Sequence, residues 1–217
     1  MLIANVSPRT GGKTTDSGLL AHALEETKTK KAPLGRRVKG FDADHSRQFW
    51  QWAQGAEFSF DVDLLASARF HKEYVLPDGQ IGIVDCGHSE NHPDITDSVL
   101  RVADLVILHM APTAGDFERI VEPVDKTTLA DMIKRSAPLR ADGKVPPSVV
   151  LMNRTVANAG STKRFRDMME AENWDVLTTT IPRSETLAQA VGFPVHGASK
   201  GPFGALILEL EDRGLLT

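Results

Sequence analysis

The chain has 217 residues, a formal net charge of −4, 41% hydrophobic residues and 25% charged residues. This composition excludes a disordered chain and a strongly basic nucleic-acid-binding protein, so any contact with DNA must come from a local patch. The single cysteine excludes an internal disulfide framework, and no run reaches the roughly 20 apolar residues of a membrane span, so we expect a cytosolic protein.

Short apolar, β-branched runs alternate with helical patterns along the chain. This alternation predicts an α/β fold, with a mostly parallel twisted sheet flanked by helices on both faces. No repeat, linker or domain boundary is evident, so residues 1–217 are expected to form a single domain. The predicted strands are Leu2–Val6, Val38–Phe41, Phe58–Val62, Ile81–Asp85, Leu105–His109, Ser148–Met152 and Val176–Ile181. The predicted helices are approximately Lys13–Glu26, Arg47–Gln54, Ile95–Ala103, Asp116–Arg135 (kinked or divided at Pro123), Thr162–Glu172 and Phe203–Asp212.

The first predicted strand runs into a loop and then into Gly12-Lys13-Thr14-Thr15, which opens the first helix. Backbone N–H groups of such a loop, together with the positive end of the helix dipole, bind phosphate groups. Lys13 would reach the β- and γ-phosphates of a nucleotide, and the Thr14 hydroxyl would ligate Mg²⁺. The strict GxxxxGK[ST] pattern fails because position 7 is Ser. Residues 7–15 therefore predict a divergent polyphosphate site.

Acidic residues follow two later strands, as Asp42 and Asp44 after the second and Asp85 at the end of the apolar run Ile81–Asp85. The carboxyl ends of the strands line the ligand crevice of an open parallel sheet, so both sites are expected to face the P-loop. We predict Asp85 and Asp42 as Mg²⁺ partners and Asp44 as the residue that orients an attacking water. A single Asp after a strand is commonly a turn or N-cap residue, so the prediction rests on the set.

These motifs together resemble the ParA/MinD branch of P-loop ATPases, the deviant Walker-A group, and most of all the short ParA partition ATPases. The resemblance covers nearly the whole chain. The segments that carry it are Gly11–Thr15, Asp42–Asp44, Ile83–Gly87, Val102–Ile107, Val149–Arg154, Thr180–Arg183 and Gly197–Lys200.

The resemblance implies an ATPase that binds ATP and Mg²⁺, dimerises in that state, contacts nonspecific DNA and segregates DNA with a ParB-like partner. It matches Asp44 to the acid needed for hydrolysis, Asp85 to the Walker-B acid and Asn153 to a base-recognition residue. It also implies that Pro182 and Arg183 lie beside the adenine. The nucleotide-binding loop would comprise Gly11, Gly12, Lys13, Thr14 and Thr15.

The loop also departs from the family pattern. Members usually carry a signature Lys five residues before the Walker Lys, where this chain has Pro8, and two glycines where it has Arg9 and Thr10. The signature Lys reaches the partner's phosphates across an ATP-sandwiched dimer, which Pro8 cannot do. Arg9 is a candidate catalytic substitute, because a guanidinium binds phosphate bidentately; the alternative is a solvated loop cation.

This departure keeps two other functions open. One is a weakly hydrolysing nucleotide switch in conjugation or cargo positioning. The other is an ATP-dependent biosynthetic enzyme of the dethiobiotin and cobyrinate synthetase branch, which would need a polar substrate pocket near the loops that follow the second and fourth strands.

Two basic segments are candidates for DNA contact, namely the loop Lys28–Arg37 and the cluster Lys163, Arg164 and Arg166. A run of charges is more often a solvated face. The amphipathic stretch Leu206–Leu216 has an acidic polar face, which argues against a membrane-targeting tail. The chain begins at its first predicted strand, so we expect no N-terminal helix-turn-helix and a cytoplasmic bacterial protein that can associate with the nucleoid.

Overall fold

Parallel strands alternate with helices along the whole chain. The computed structural model describes residues 1–9, 11–122 and 127–216. Within these residues the strands are β1 (Leu2–Val6), β2 (Arg37–Ala43), β3 (Val62–Leu64), β4 (Gln80–Cys86), β5 (Leu105–Met110), β6 (Ser148–Thr155) and β7 (Asp175–Pro182). The α-helices are α1 (Lys13–Glu26), α2 (Gln48–Gly55), α3 (Phe70–Glu73), α4 (Pro93–Leu100), α5 (Ala114–Val121), α6 (Leu129–Ser136), α7 (Gly160–Ala171), α8 (Glu185–Ala188) and α9 (Pro202–Asp212).

The strands form one sheet in the order β3-β2-β4-β1-β5-β6-β7, and every pair is parallel. The central strand β1 lies between β4 and β5, and the chain adds strands on both sides of it. Ligands of open α/β sheets bind at such a switch point, outside the carboxyl ends of the strands. The loop after β1 is therefore at the position where this topology forms a crevice.

Successive apolar residues along each strand point to opposite faces of the sheet. They therefore form two hydrophobic cores, one on each face. Ile3, Ile83 and Ile107 face α1, α2 and α9, whereas Leu2 and Val84 face α4, α6 and α7. Burial on both faces explains why the central strands read as continuous apolar runs rather than as alternating ones. The predicted α/β fold with helices on both faces is confirmed.

The first helix is buried more completely than its sequence indicates. The spacing of its leucines predicts one stripe facing the sheet, but Ser17, Ala21 and His22 are buried as well. The reason is that α1 also contacts α2 and α9, so it has apolar neighbours on most sides. No helix formed by the described residues is long and apolar enough to span a bilayer.

One predicted strand differs from the structure, and one long predicted helix is divided. The predicted strand Phe58–Val62 is wrong, because β3 begins at Val62. Phe58 and Phe60 instead pack edge-on against His22, with ring centroids 4.4 and 5.0 Å away, so their alternation serves packing over α1. The predicted helix Asp116–Arg135 is divided into α5 and α6, which is one of the two outcomes predicted for it. Pro123, the expected breaking point, and Thr10 lie outside the described residues.

Candidate functional site

The loop after β1 ends at Gly12, which is the N-cap of α1 and has φ 85° and ψ 12°. This left-handed conformation carries little steric cost for glycine alone. Gly12 offers no side chain to the first turn of α1, so the backbone N–H groups there keep the arrangement that binds anions at helix N-termini.

Lys13 is buried inside the curve of this loop. Its Nζ donates to Ser7 Oγ at 2.8 Å and to the carbonyl oxygen of Arg9 at 3.1 Å. Burial lowers the pKa of Lys13, and the nearby Asp85 carboxylate opposes that shift. The structure therefore directs the predicted phosphate-binding ammonium into the loop, where a phosphate oxygen can replace these two acceptors.

Thr14 and Asp85 meet across the gap between α1 and β4. Thr14 Oγ1 donates to Asp85 Oδ2 at 2.7 Å, and Ser17 Oγ lies 3.4 Å from Asp85 Oδ1. Asp85 is buried, and this burial raises its pKa to about 7, with the charge of Lys13 acting in the opposite direction. A hydroxyl and a carboxylate side by side form a donor set that suits a hard divalent cation such as Mg²⁺. Both residues were predicted from the sequence.

Asp42 and Asp44 follow β2 but have different surroundings. Asp42 is buried, and its two carboxylate oxygens accept backbone N–H groups of Asp44 at 3.0 Å and Trp50 at 2.9 Å. Asp42 thus fixes the loop after β2, and its charge also acts on Asp85; its role as a Mg²⁺ partner stays a prediction. Asp44 is half-buried, and its Oδ1 accepts the N–H of Ser46 at 2.9 Å. Within the described residues its Oδ2 accepts no hydrogen bond, so it has an oxygen available for water.

Arg9 pairs with Glu90, from the segment after β4. Arg9 Nε is 2.7 Å from Glu90 Oε2, and Arg119 Nη1 of α5 is 3.3 Å from Glu90 Oε1. The Glu90 side chain is only 8% exposed, whereas that of Arg9 is 52% exposed. The backbone N–H of Glu90 also donates to the carbonyl oxygen of Pro8 at 3.4 Å. Arg9 is consequently held against the segment after β4, with about half of its side chain exposed.

Gly12 also lines an open cavity of about 800 Å³. Its size suits a nucleoside, because small-molecule sites measure roughly 300–1,000 Å³. Pro182 and Arg183 are exposed on its wall, so the structure brings the predicted base-side residues to one place. The predicted residues that line it are Gly12, Thr15, Asn153, Pro182 and Arg183.

Sequence reasoning missed a set of buried polar residues beneath this loop. His109 Nδ1 lies 2.8 Å from Asp16 Oδ2, and His109 Nε2 lies 2.9 Å from Asn5 Oδ1. Asn5 in turn donates to Ser17 Oγ at 2.8 Å. One feature of the sequence could have indicated them. Each apolar run has a polar residue near its end, at positions 5, 85, 109 and 153. Each of these residues lies two positions after a core residue, so its side chain is on the same face of the sheet.

The three cations of the predicted α7 DNA contact each have a neighbour within the protein, although the Lys163 side chain is 81% exposed. Lys163 pairs with Asp167 at 2.6 Å, Arg166 donates to the carbonyl oxygen of Leu177 at 2.6 Å, and Arg164 lies over the Phe165 ring.

The basic loop differs. Lys28 and Lys30 are exposed and form no ion pair with other described residues. Arg36, by contrast, pairs with Glu211 of α9. The exposed lysines of the loop are therefore the better candidates for contact with a phosphate backbone.

Solved structures of three proteins match the chain along nearly its whole length. McdA from Cyanothece has a TM-score of 0.65 at 14% identity, covering 96% of this chain and 98% of that one. A candidate plasmid partition protein from Borrelia burgdorferi, bound to AMPPNP, has a TM-score of 0.67 at 13% identity and covers 98% of both chains. The septum site-determining protein MinD from Pyrococcus horikoshii, complexed with Mg-ADP, has a TM-score of 0.59 at 17% identity, covering 98% and 94%.

The fold is that of the ParA and MinD ATPases. No protein-family model and no curated protein matches the sequence. The ParA/MinD fold is thus recognised by comparison of structures. In the sequence, only short motifs such as Gly11–Thr15 and Ile83–Gly87 resemble that group.

Proposed function

We propose that this protein is a ParA-like partition ATPase that binds and hydrolyses ATP with Mg²⁺ to segregate DNA with a ParB-like partner. One observation carries the proposal above all others. Thr14 and Asp85 meet at 2.7 Å directly beside Lys13, at the open end of the loop after β1. Cation, hydroxyl and carboxylate are the three side chains that a P-loop ATPase needs at this point.

The residues present fit ATP and Mg²⁺. Thr14 and Asp85 would hold the metal, which when bound neutralises charge on the β- and γ-phosphates. Lys13 and the N–H groups at the start of α1 would stabilise charge on the transferred phosphoryl group. Asp44 would orient the attacking water through its unengaged Oδ2. Arg9 would add a second cation once it separates from Glu90, and Pro182 and Arg183 would flank the base.

The cellular part of the proposal is supported by the likeness in fold and by the charge pattern. In this proposal the protein dimerises in its ATP state, acts in the bacterial cytoplasm, and associates with the nucleoid through nonspecific DNA contact. Lys28 and Lys30 are proposed for that contact, because they are exposed and unpaired within the described residues. The α7 cations are already engaged by neighbouring groups.

A second candidate function is a nucleotide switch that hydrolyses weakly. The observation that favours it is the Arg9–Glu90 ion pair, since this pair engages the residue proposed to replace the missing signature Lys. No specific observation among the described residues favours the biosynthetic alternative.

The deciding experiment measures ATP turnover with and without nonspecific DNA, together with the size of the protein in ATP. Turnover stimulated by DNA and dimers that require ATP would support the partition ATPase. Binding without turnover would favour the switch. Turnover that ignores DNA and depends on a small molecule would exclude both. Lys13→Ala is the control and should abolish binding or turnover.

A further inference from the structure

A row of polar side chains lies beneath α1, near the carboxyl ends of four strands, where the apolar core on that face of the sheet stops. Asp85 of β4, Asn5 of β1, His109 of β5 and Asn153 of β6 lie on four neighbouring strands, each two residues beyond a core residue of the same face. All four are at most 3% exposed. Burying four such groups is costly unless each finds a partner, so their partners indicate what the row does.

Two residues of α1 join this polar row into one hydrogen-bonded chain. Asp16 Oδ2 accepts from Asn153 Nδ2 at 2.5 Å and lies 2.8 Å from His109 Nδ1. Ser17 Oγ accepts from Asn5 and lies 3.4 Å from Asp85. Because Asn5 uses its amide N–H on Ser17, its Oδ1 accepts from His109 Nε2. The chain thus runs unbroken from the cavity wall to the Thr14–Asp85 pair.

Asn153 lines the cavity, and its amide is engaged by the P-loop. Its Nδ2 donates to the carbonyl oxygen of Gly11 at 2.6 Å as well as to Asp16, and its Oδ1 accepts from Arg154 N at 2.7 Å. Both amide hydrogens are therefore used, and no donor remains for a base.

Two glycines of the loop pack against members of the row. A Cβ on Gly12 would lie 2.7 Å from Asn153 Nδ2, and a Cβ on Gly11 would lie 3.2 Å from His109 Cβ. The polar row thus forms the floor on which the loop rests. A side chain at Gly12 would clash with this floor and strain the backbone, whereas one at Gly11 would need its neighbours to move by a few tenths of an ångström.

We infer that Asp16, His109 and Asn153 are positioning residues that hold the P-loop for the phosphates, independently of the base. The inference rests on the proposed nucleotide binding and deepens it. His109 fixes Asp16, Asp16 fixes the Asn153 amide, and that amide fixes the carbonyl of Gly11. Loss of one link should weaken every ligand that carries a polyphosphate, whether or not it carries adenine.

The test measures dissociation constants for ATP, GTP and inorganic tripolyphosphate, using the full chain in Mg²⁺. His109→Leu and Asn153→Ala should each weaken all three ligands by about tenfold, the order of one lost buried hydrogen bond. The double variant should be no more than about threefold weaker than either single variant, because both act through one chain. His22→Leu also replaces a buried His with Leu, but away from the loop, and should stay within about twofold of wild type. If His109→Leu does not fold, His109→Asn takes its place. The same loss of affinity is expected, because the asparagine side chain is too short to bridge Asp16 and Asn5.

Three outcomes would overturn the inference while nucleotide binding stands. In the first, the losses of affinity in the two single variants multiply in the double variant. In the second, Asn153→Ala changes the ratio of ATP affinity to GTP affinity. In the third, His109→Leu lowers stability without changing any affinity. If wild type and Lys13→Ala bind ATP equally weakly, the proposed function itself fails. The Lys13→Ala comparison therefore distinguishes the two failures.

Discussion

Thr14 Oγ1 donates a 2.7 Å hydrogen bond to Asp85 Oδ2, although 71 residues separate them in the chain. The parallel pairing of β1 with β4 creates this contact, because Asn5 and Asp85 are direct partners in the register. The first turn of α1 then lies over the end of β4. The contact buries a carboxylate beside a hydroxyl and a Lys, an arrangement that costs stability and that a bound cation would relieve.

The first prediction separates activity from stability at Asp85. Asp85→Asn keeps an acceptor for Thr14 but removes the charge, so Mg²⁺-dependent ATP turnover should fall by about 100-fold. The free energy of unfolding of the nucleotide-free protein should rise by about 1 kcal/mol, because the burial that raises the pKa of Asp85 outweighs the attraction of Lys13, so the carboxylate charge costs stability in the folded protein. Urea unfolding and steady-state turnover measure the two effects. Asp44→Asn is the control, expected to lose turnover without a gain in stability, and an Asp85→Asn protein that keeps full turnover would refute the assignment.

The second prediction concerns Arg9. Removal of its guanidinium in Arg9→Ala should weaken ATP binding by about fivefold, because a charge-assisted hydrogen bond to phosphate is lost. Arg119→Ala is a matched control, since Arg119 contacts the same Glu90 from α5 and not from the P-loop. Calorimetric titration with ATP compares the two variants. Equal effects of both substitutions would mean that Arg9 acts only through Glu90.

The third prediction follows from the buried His22. Burial lowers its pKa to about 4, from 6.5 in an unfolded chain, and Nε2 finds no partner within the described residues. Between these two values the unfolded state binds more protons than the folded state, so the free energy of unfolding falls as the pH falls. Between about pH 7 and about pH 5 the decrease due to His22 should be about 2 kcal/mol. Urea unfolding of wild type and His22→Leu at both pH values isolates this contribution, which is absent if both proteins respond alike.

The fourth prediction distinguishes the two basic segments. The double substitution Lys28→Glu and Lys30→Glu should weaken binding of the ATP-bound protein to random duplex DNA. The slope of log affinity against log salt should become smaller by about 2, or roughly 0.9 per phosphate contact. Lys163→Glu is the control on α7 and should leave that slope unchanged, because Lys163 is paired with Asp167. A change of slope in the α7 variant alone would transfer the DNA contact to α7.

The sequence was sufficient for the parts of the site that depend on local order. A strand followed by Gly12, Lys13 and Thr14 predicts a phosphate loop, and an apolar run ending in Asp85 predicts an acid at the same edge of the sheet. Parallel strands align their carboxyl ends, so the meeting of Thr14 and Asp85 follows from the predicted fold.

The contacts beneath the loop depend on strand register, which local patterns do not define. Asp16 and His109 are 93 residues apart, and their contact requires β5 to pair with β1 in one particular register. A single His in an apolar run gives no sign of which residue it will meet.

Some surface charges have partners within the protein that the sequence did not indicate. Glu209 reads as part of a solvated acidic face, yet its carboxylate accepts backbone N–H groups of Thr178 and Thr179 at 2.7 Å each. Arg166, read as a DNA-contact candidate, donates to carbonyl oxygens of the same edge strand. The distribution of charges along the sequence does not indicate such tertiary partners.

The most direct test of the central claim is calorimetric titration of wild type and Lys13→Ala with ATP, with and without Mg²⁺. We expect one saturable site in wild type that tightens with Mg²⁺, and no measurable binding to Lys13→Ala. Equal binding by both proteins, or binding that does not respond to Mg²⁺, would contradict the assignment of this loop as the nucleotide site.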